Sequence, residues 1–271
     1  MPELPEVEIT CRSIIPYALS QQFTKVIVRR RQLRWPICVN LAQILENQII
    51  EKISRRGKYI LFTCTKGTLI VHLGMSGKLS VVLSDVLAKK HDHVDFILNN
   101  GYVIRYTDPR RFGSVIWTTE DPNQHKLLSH LGVEPLTKDF SGQFLFSAAS
   151  KKKTPIKSML MDASIVVGIG NIYANEALFT AGIIPNRAAN TIDLEEYTTL
   201  AKHIKQILKK AIIKGGTTLK DFFNVEGKPG YFSQNLMVYG RAGEFCYKCH
   251  TILKEIRLNQ RTTVFCPKCQ H

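Results

Sequence analysis

The chain is short of acids. Against 37 lysines and arginines stand only 22 aspartates and glutamates, leaving a net charge of +15 over 271 residues. That imbalance says little about fold but argues for a polyanionic partner. Long apolar runs are missing as well: no segment reaches the roughly 18 apolar residues that cross a bilayer, and no basic amphipathic helix stands apart from the core pattern. Glu3, Glu6 and Glu8 within the first ten residues exclude a secretory signal. Histidines and acids form no compact cluster for a catalytic ion, which disfavours a metal-dependent nuclease. There is no internal repeat. Cysteine is absent from the whole middle of the chain: Cys11, Cys38 and Cys64 are scattered and four more crowd into the last 26 residues. A disulfide framework would spread its cysteines more evenly in a smaller chain. With 44% hydrophobic residues the chain can bury a sizeable core. The expectation is a soluble cytoplasmic protein that binds nucleic acid.

The residues present divide into two characters. Glu3 to Leu19 has Val7, Cys11, Ile14 and Ile15 at helical spacing. Eight short β-rich runs follow, at Phe23–Arg30, Ile49–Arg55, Tyr59–Thr65, Thr68–Leu73, Lys78–Leu83, Val94–Leu98, Tyr102–Tyr106 and Ser114–Thr118. The divider Asn99-Asn100-Gly101 is a hairpin signal, and so many short strands suggest a sandwich or barrel. From Asp121-Pro122 onward helical patterns take over, at about 124–131, 141–149, 156–162, 171–181 and 193–214. The last carries an apolar stripe from Leu194 to Ile212 that Gly215-Gly216 should stop. Lys151-Lys152-Lys153 reads equally as a solvated linker and as part of a charged surface. The stretch 217–237, with Glu226-Gly227-Lys228-Pro229-Gly230, reads as a mobile surface loop.

Cys246-Tyr-Lys-Cys249 and Cys266-Pro-Lys-Cys269 are two knuckles separated by sixteen residues. Each supplies two thiolates from one tight turn, and the spacer allows a β-hairpin to bring the turns together around one structural zinc ion. The competing reading is two disulfides or unrelated thiols. Zinc would replace the core that so short a segment lacks. Arg257 and Arg261 lie on this hairpin, and a basic finger suits a DNA groove.

Met1-Pro2-Glu3-Leu4-Pro5-Glu6 permits two readings. A small second residue allows Met1 to be removed, leaving Pro2 with a free secondary amine that is partly neutral at cellular pH. Such an amine can attack a sugar C1′ and form an iminium, with Glu3 and Glu6 near enough to move protons. Local sequence alone favours the other reading, a proline and first-turn acids stabilising a helix end.

The first eight residues resemble the start of the formamidopyrimidine-DNA glycosylase family, bacterial 8-oxoguanine DNA glycosylases with AP lyase activity. The resemblance continues, in family order, through Arg55-Arg56-Gly57-Lys58-Tyr59, His72-Leu73-Gly74-Met75-Ser76-Gly77, Lys90-His91-Asp92-His93 and Asp108-Pro109-Arg110-Arg111-Phe112-Gly113. It then takes in Val167-Gly168-Ile169-Gly170-Asn171-Ile172-Tyr173, Val238-Tyr239-Gly240 and the four cysteines. It implies an α+β protein: an N-terminal helix with an eight-stranded antiparallel β-sandwich over residues 1–120, a helical DNA-binding domain with a helix–two-turns–helix motif and a lesion-capping loop over 121–236, and a β-hairpin zinc finger over 237–271. Pro2 is then the nucleophile, Glu3 the acid/base that opens the sugar, Lys58 a catalytic lysine near the damaged nucleotide's phosphates, and Glu6 a support for the helix and the site.

The damaged nucleotide must leave the stack. Met75 and Arg110 are expected to fill the void and Phe112 to buckle the neighbouring step, while His72, His93, Lys157, Asn171, Tyr239 and Arg261 complete the DNA contacts. The Val225–Phe232 loop corresponds to the segment that closes over the everted base. Many members have glycine beside the finger arginine, whereas here Gln260-Arg261-Thr262 occupy the turn. The implied partner is double-stranded DNA containing oxidised purines or abasic sites, acted on by a monomer that is cytoplasmic and nucleoid-associated when on DNA. Two alternatives compete with this reading. Endonuclease VIII-like enzymes more often begin Pro-Glu-Gly-Pro-Glu, so Leu4 favours the purine branch. A zinc-finger DNA-binding protein without chemistry would leave Pro2, Glu3 and Glu6 unexplained.

Overall fold

The computed structural model describes residues 2–217 and 235–271. They fall into two compact units, one running to Ser129 and resuming at Lys214, the other containing His130–Ile213 and the C-terminal end.

In the first unit, α1 spans Leu4–Ala18, with Glu3 as its N-cap and Pro5 in its first turn. The apolar side of α1, including Leu4, Val7, Cys11 and Ile14, is buried. The strands are β1 (Phe23–Val28), β2 (Ile50–Arg56), β3 (Tyr59–Cys64), β4 (Gly67–His72), β5 (Lys78–Leu83), β6 (Asp92–Leu98), β7 (Tyr102–Thr107) and β8 (Ser114–Thr118). They pair antiparallel in two four-stranded sheets, β1-β6-β7-β5 and β2-β3-β4-β8. All eight runs read from the sequence are strands, with ends shifted by at most two residues. One core holds the sandwich together, including Phe23, Phe62, Phe96, Val71, Ile104 and Tyr106. A short helix, α2 (Leu41–Leu45), also packs on that core; five residues are too few to show a helical period.

Two connections decide where side chains meet. The chain leaves the second sheet at the end of β4 and enters the first at β5; it leaves the first at β7 and returns to the second at β8. Their feet are paired, His72 with Ser114 and Lys78 with Thr107. The loops 73–77 and 108–113 therefore run side by side across the same edge of the sandwich.

The second unit contains α3 (Gly142–Ala149), α4 (Ile156–Leu160), α5 (Asn171–Ala181) and α6 (Leu194–Ile213). Helix α5 is buried along most of its length, and α6 packs on α3 and α5 through Tyr197, Leu200, Ala201, Ile204 and Leu208. Gly215 and Gly216, at φ +78° and +82°, end the run of α6 as expected. The helix expected at 124–131 does not form. Pro122–Gln124 makes a single 3-10 turn, and the His125 Nδ1 accepts the Leu127 N–H at 3.3 Å, so a side chain takes a bond that a helix would need.

The C-terminal hairpin is β9 (Lys254–Leu258) and β10 (Arg261–Phe265), with Arg261 facing Leu258. Its turn is therefore Asn259-Gln260, not the Gln260-Arg261-Thr262 expected above. Both turn residues have positive φ, 46° and 60°, as a type I′ turn demands. Asparagine tolerates that region and glutamine does not. Gln260→Gly is expected to tighten the hairpin by about 0.5–1 kcal/mol, seen as a several-fold slowing of amide exchange across β9 and β10.

Candidate functional site

The start of α1 is organised by one carboxylate. Glu3 and Glu6 are both buried. The Glu6 Oε2 accepts the Glu3 N–H at 2.9 Å, and its Oε1 accepts the Thr217 N–H at 2.8 Å. Three buried residues, Pro2, Glu3 and Glu6, are thus fixed to each other and to the segment that follows α6. A secondary amine adjacent in sequence to a buried carboxyl has the chemistry of a nucleophile and proton-transfer pair. The helix-end reading of these acids is also correct, since Glu6 caps the helix in doing this.

Helix α1 is tied to β2 by Glu8 and Arg55, 3.0 Å apart. Burial works to raise the Glu8 carboxyl, but hydrogen bonds from Arg12 and Arg55 hold it below its ordinary value. Lys58 sits in the two-residue turn that follows β2, next to Tyr59, whose pairing partner is His72. The Tyr59 and His72 rings lie 4.7 Å apart. Burial, then the Lys58 and Arg34 cations, push His72 down to about 4, with Asp108 opposing. At neutral pH the imidazole is therefore uncharged; its Nδ1 accepts the Gly74 N–H at 3.1 Å, so Nε2 carries the proton. A neutral donor beside a lysine suits an anion-binding surface without adding charge repulsion.

Met75 lies on the 73–77 loop, Arg110 and Phe112 on the 108–113 loop. The loops meet backbone to backbone: a Cβ on Gly74 would lie 2.5 Å from the Phe112 carbonyl carbon and from the Gly113 nitrogen, so only glycine fits. Asp108, fully buried, accepts from the Ser76 hydroxyl (2.8 Å), the Tyr106 hydroxyl (3.1 Å) and the Gly113 N–H (2.9 Å). Arg110 stacks on the Phe112 ring at 4.8 Å, and Phe112 is 46% exposed. Arg111 holds a left-handed φ of 59°, a strain that the Asp108 contacts support. An exposed aromatic and a guanidinium on a rigid base can enter a base stack.

His93 is buried, and its Nε2 donates to the Asp108 carbonyl at 2.7 Å. Its ring lines a cavity of about 330 Å³ with Arg30, Lys90, His91, Pro109 and Arg111. Three permanent cations and two imidazoles there favour an anion. Arg30, His91 and Arg111 were not singled out from sequence, although the last two sit inside quoted blocks.

In the second unit Lys157, Asn171 and Arg261 come together. Lys157 is buried on α4 and donates from Nζ to the Thr262 carbonyl (3.1 Å) and the Thr263 hydroxyl (2.6 Å). Asn171, the first residue of α5, donates to the same Thr262 carbonyl at 3.1 Å. Arg261 is the exposed neighbour of that residue and lines a cavity of about 230 Å³ with Lys157, Asn259 and Asp162. Helix α5 holds the finger at two further points. Asn175 Oδ1 accepts the Val264 N–H at 3.0 Å. Glu176 accepts three successive N–H groups, from Met237, Val238 and Tyr239, at 2.8, 3.0 and 2.9 Å. Burial raises the Glu176 carboxyl against those bonds. This is where Tyr239 is placed, half-buried at the entrance to the finger. Asn175 and Glu176 were missed because buried polar residues on an apolar helix carry no pattern of their own.

The sulfur atoms of Cys246, Cys249, Cys266 and Cys269 lie within 4.8 Å of one another and all four are free thiols. Cys249 and Cys266 are 3.4 Å apart, far beyond a disulfide bond. A tetrahedron of four Zn–S bonds of about 2.3 Å has edges of about 3.8 Å, so the donor set fits zinc and the disulfide reading falls. The Val225–Phe232 loop and Met1 lie outside the described residues.

Three family models cover most of the chain: formamidopyrimidine-DNA glycosylase N-terminal domain over 1–115, formamidopyrimidine-DNA glycosylase H2TH domain over 131–222, and the zinc finger found in FPG and IleRS over 243–271. The formamidopyrimidine-DNA glycosylase of Marinobacter nauticus is 54% identical over 270 residues, spanning all of both chains. The chain belongs to the formamidopyrimidine-DNA glycosylase family. The proteins of that name from Ectopseudomonas mendocina and from Pseudomonas aeruginosa are each 53% identical over 270 residues, again over all of both chains. Among solved structures, a Lactococcus lactis Fpg variant in complex with a Fapy-dG-containing DNA has a TM-score of 0.92 at 32% identity, covering 100% of both chains. The Lactococcus lactis Fpg bound to DNA with an abasic site has a TM-score of 0.91 at 32% identity, covering 99% of each. The MutM (Fpg) protein of Thermus thermophilus has a TM-score of 0.89 at 33% identity, over 99% of this chain and 98% of that one. The α+β architecture read from the sequence is that of the family: a helix with two antiparallel sheets, a helical H2TH unit and a C-terminal hairpin carrying the four cysteines. One structural zinc ion is held by Cys246, Cys249, Cys266 and Cys269. Held by four thiolates, the ion would supply a structural cross-link and not a catalytic centre.

Proposed function

We propose that Pro2, with Met1 removed, is the nucleophile of a bifunctional DNA glycosylase and AP lyase of base excision repair that acts on oxidised purines, 8-oxoguanine and formamidopyrimidines, in duplex DNA. The observation that carries the residue assignment is the Glu6 carboxylate, which accepts the Glu3 N–H and so ties the buried, extended Pro2-Glu3 segment to the start of α1 within a chain of this family. The Pro2 nitrogen lone pair attacks C1′ of the damaged nucleotide. The glycosidic bond breaks with its electrons going to the base, which takes a proton. Glu3 delivers a proton to the ring oxygen as the C1′–O4′ bond opens, leaving an iminium between Pro2 and C1′. The iminium acidifies the 2′ position; loss of that proton expels the 3′ phosphate, and loss of a 4′ proton expels the 5′ phosphate, leaving a one-nucleotide gap. Lys58 offsets phosphate charge beside this centre.

The wedge is Met75, Arg110 and Phe112, with the Arg110 guanidinium able to pair with the orphaned cytosine. Phosphates are held by His72 and by the cationic cavity of Arg30, His91 and Arg111, with His93 behind it. In the second unit they are held by Lys157, Asn171, Tyr239 and Arg261. These are the working parts of a catalytic domain (1–120), a helical domain with its capping loop (121–236) and a finger (237–271), acting as a monomer. No helix among the described residues is long and apolar enough to cross a membrane, and the proposed setting is a bacterial cytoplasm, with nucleoid association on DNA.

Borohydride reduction is expected to trap a covalent complex between processed protein and an 8-oxoguanine duplex. The absence of a trapped complex overturns the mechanism. Faster cleavage of thymine glycol than of 8-oxoguanine moves the chain to the oxidised-pyrimidine branch.

A further inference from the structure

We propose that Ser76 is a positioning residue that locks the two wedge loops into one body, so that Met75, Arg110 and Phe112 enter the duplex together. This rests on the wedge reading above and deepens it.

The topology sets the two loops side by side but does not by itself hold their tips in register. Their feet are secured by the His72–Ser114 and Lys78–Thr107 pairings. Above the feet, a single hydroxyl bridges them. Ser76 Oγ donates to Asp108 Oδ1 at 2.8 Å and accepts the Arg110 N–H at 3.2 Å. Ser76 directly follows Met75, and Arg110 is itself the void-filling side chain, so the bridge lies at the wedge and not behind it. The acceptor is also immobile. Asp108 is fully buried, its other oxygen takes the Tyr106 hydroxyl and the Gly113 N–H, and its carbonyl takes the His93 Nε2 proton and the Arg111 N–H. The carboxylate therefore transmits the rigid sandwich core to Ser76, and Ser76 transmits it to both loops. The close approach of Gly74 to Phe112 adds a steric register to this polar one.

Without the hydroxyl, the Arg110 N–H and one Asp108 lone pair lose their partner and the loops can shear. The cost falls on the step in which the lesion is everted and the gap filled. It does not fall on amine attack at a sugar that needs no eversion.

The test compares wild type, Ser76→Ala and Ser76→Thr in two assays. One is single-turnover excision of 8-oxoguanine from a duplex carrying 2-aminopurine beside the lesion, whose fluorescence reports unstacking. The other is borohydride trapping on an abasic site in a single strand. Ser76→Ala is expected to slow both the duplex excision and the fluorescence rise by roughly tenfold, the scale of one hydrogen bond to a charged group, and to leave single-strand trapping at the wild-type rate. Ser76→Thr is expected to restore the duplex rate, since it keeps the hydroxyl. Equal loss in both assays makes Ser76 merely structural and overturns the proposal, as does an unchanged duplex rate or a failure of threonine to rescue. A wild-type protein that neither excises from the duplex nor traps on the single-strand abasic site instead overturns the nucleophile assignment.

Discussion

A chain that keeps an extra residue in front of Pro2 is expected to lose strand cleavage and borohydride trapping by on the order of 10³-fold or more, while binding an abasic-site duplex within about twofold of the processed protein. The reason is electronic. Acylation turns the Pro2 nitrogen into a tertiary amide with no available lone pair, so neither C1′ attack nor iminium formation remains, and no other group in the turn replaces it. A lysine side chain is ordinarily protonated at neutral pH, whereas a terminal amine is not fully so. Binding survives because the groups proposed to hold phosphate are distributed over loops and helices remote in sequence from residue 2. Intact-mass measurement fixes the state of the terminus, gel shift reads binding, and nicking reads chemistry. Cleavage at the processed rate by a chain whose mass shows the extra residue would sink the terminal-amine mechanism. Glu3→Gln separates the proton-transfer role from the nucleophile: it is expected to slow base excision by roughly 10²–10⁴-fold, the usual range for general acid–base catalysis, while leaving the amine able to be trapped on a preformed abasic site.

How much of this was legible before the structure depends on the kind of signal. Strands announced themselves by β-branched runs between turn residues, and all eight were found. The Asn99-Asn100-Gly101 hairpin formed with Gly101 at positive φ and with both asparagine side chains tied to the chain near the end of α1. Helix α6 was visible because its apolar stripe repeats over five turns. What failed was short or local. The 124–131 pattern lost to the His125 ring, a competition that periodicity does not register. The finger turn moved by one residue because register is set by cross-strand pairing, which no single strand reveals.

For the site, residues with unusual chemistry stood out: a terminal proline, paired cysteines and an arginine beside a phenylalanine. The groups that hold them did not. Asp108 and Glu176 are ordinary residues made important because three N–H or O–H groups point at each carboxylate, and Ser76 because its hydroxyl links Asp108 to the Arg110 N–H; that convergence exists only in three dimensions. Lys157 shows the reverse difficulty. The family resemblance implies a phosphate contact for it, and it is buried with its Nζ on the Thr262 carbonyl and the Thr263 hydroxyl. Any phosphate it serves is one that reaches the finger turn, so its charge and its structural bond act at one place.

Removing the zinc is the second large effect. Cys266→Ser, or chelation in mild denaturant, is expected to lower duplex affinity at least 100-fold and abolish incision of 8-oxoguanine duplex, while the β-sheet signal of the first unit persists. The finger has little else to fold around: its core consists of Val238, Leu253, Val264 and the buried sulfurs Cys246 and Cys266, packed on Phe179 of α5. So small a cluster cannot offset the chain entropy of the segment, whereas a four-thiolate zinc site contributes on the order of 10–16 kcal/mol. The loss also spreads backwards. Asn171 and Lys157 bond the Thr262 carbonyl, Asn175 bonds Val264, and Glu176 bonds Met237, Val238 and Tyr239. When the finger unfolds, α5 is left with a buried carboxylate and two amides whose partners have gone, each unsatisfied group costing about 1–3 kcal/mol. Arg261 then has no fixed position, and the proposed phosphate site at the start of α5 loses one wall. Zinc release followed with a colorimetric chelator, alongside fluorescence anisotropy on labelled duplex, should show the two losses moving together. Full release with unchanged affinity would mean that the finger is dispensable for DNA binding and that the first unit alone supplies the grip.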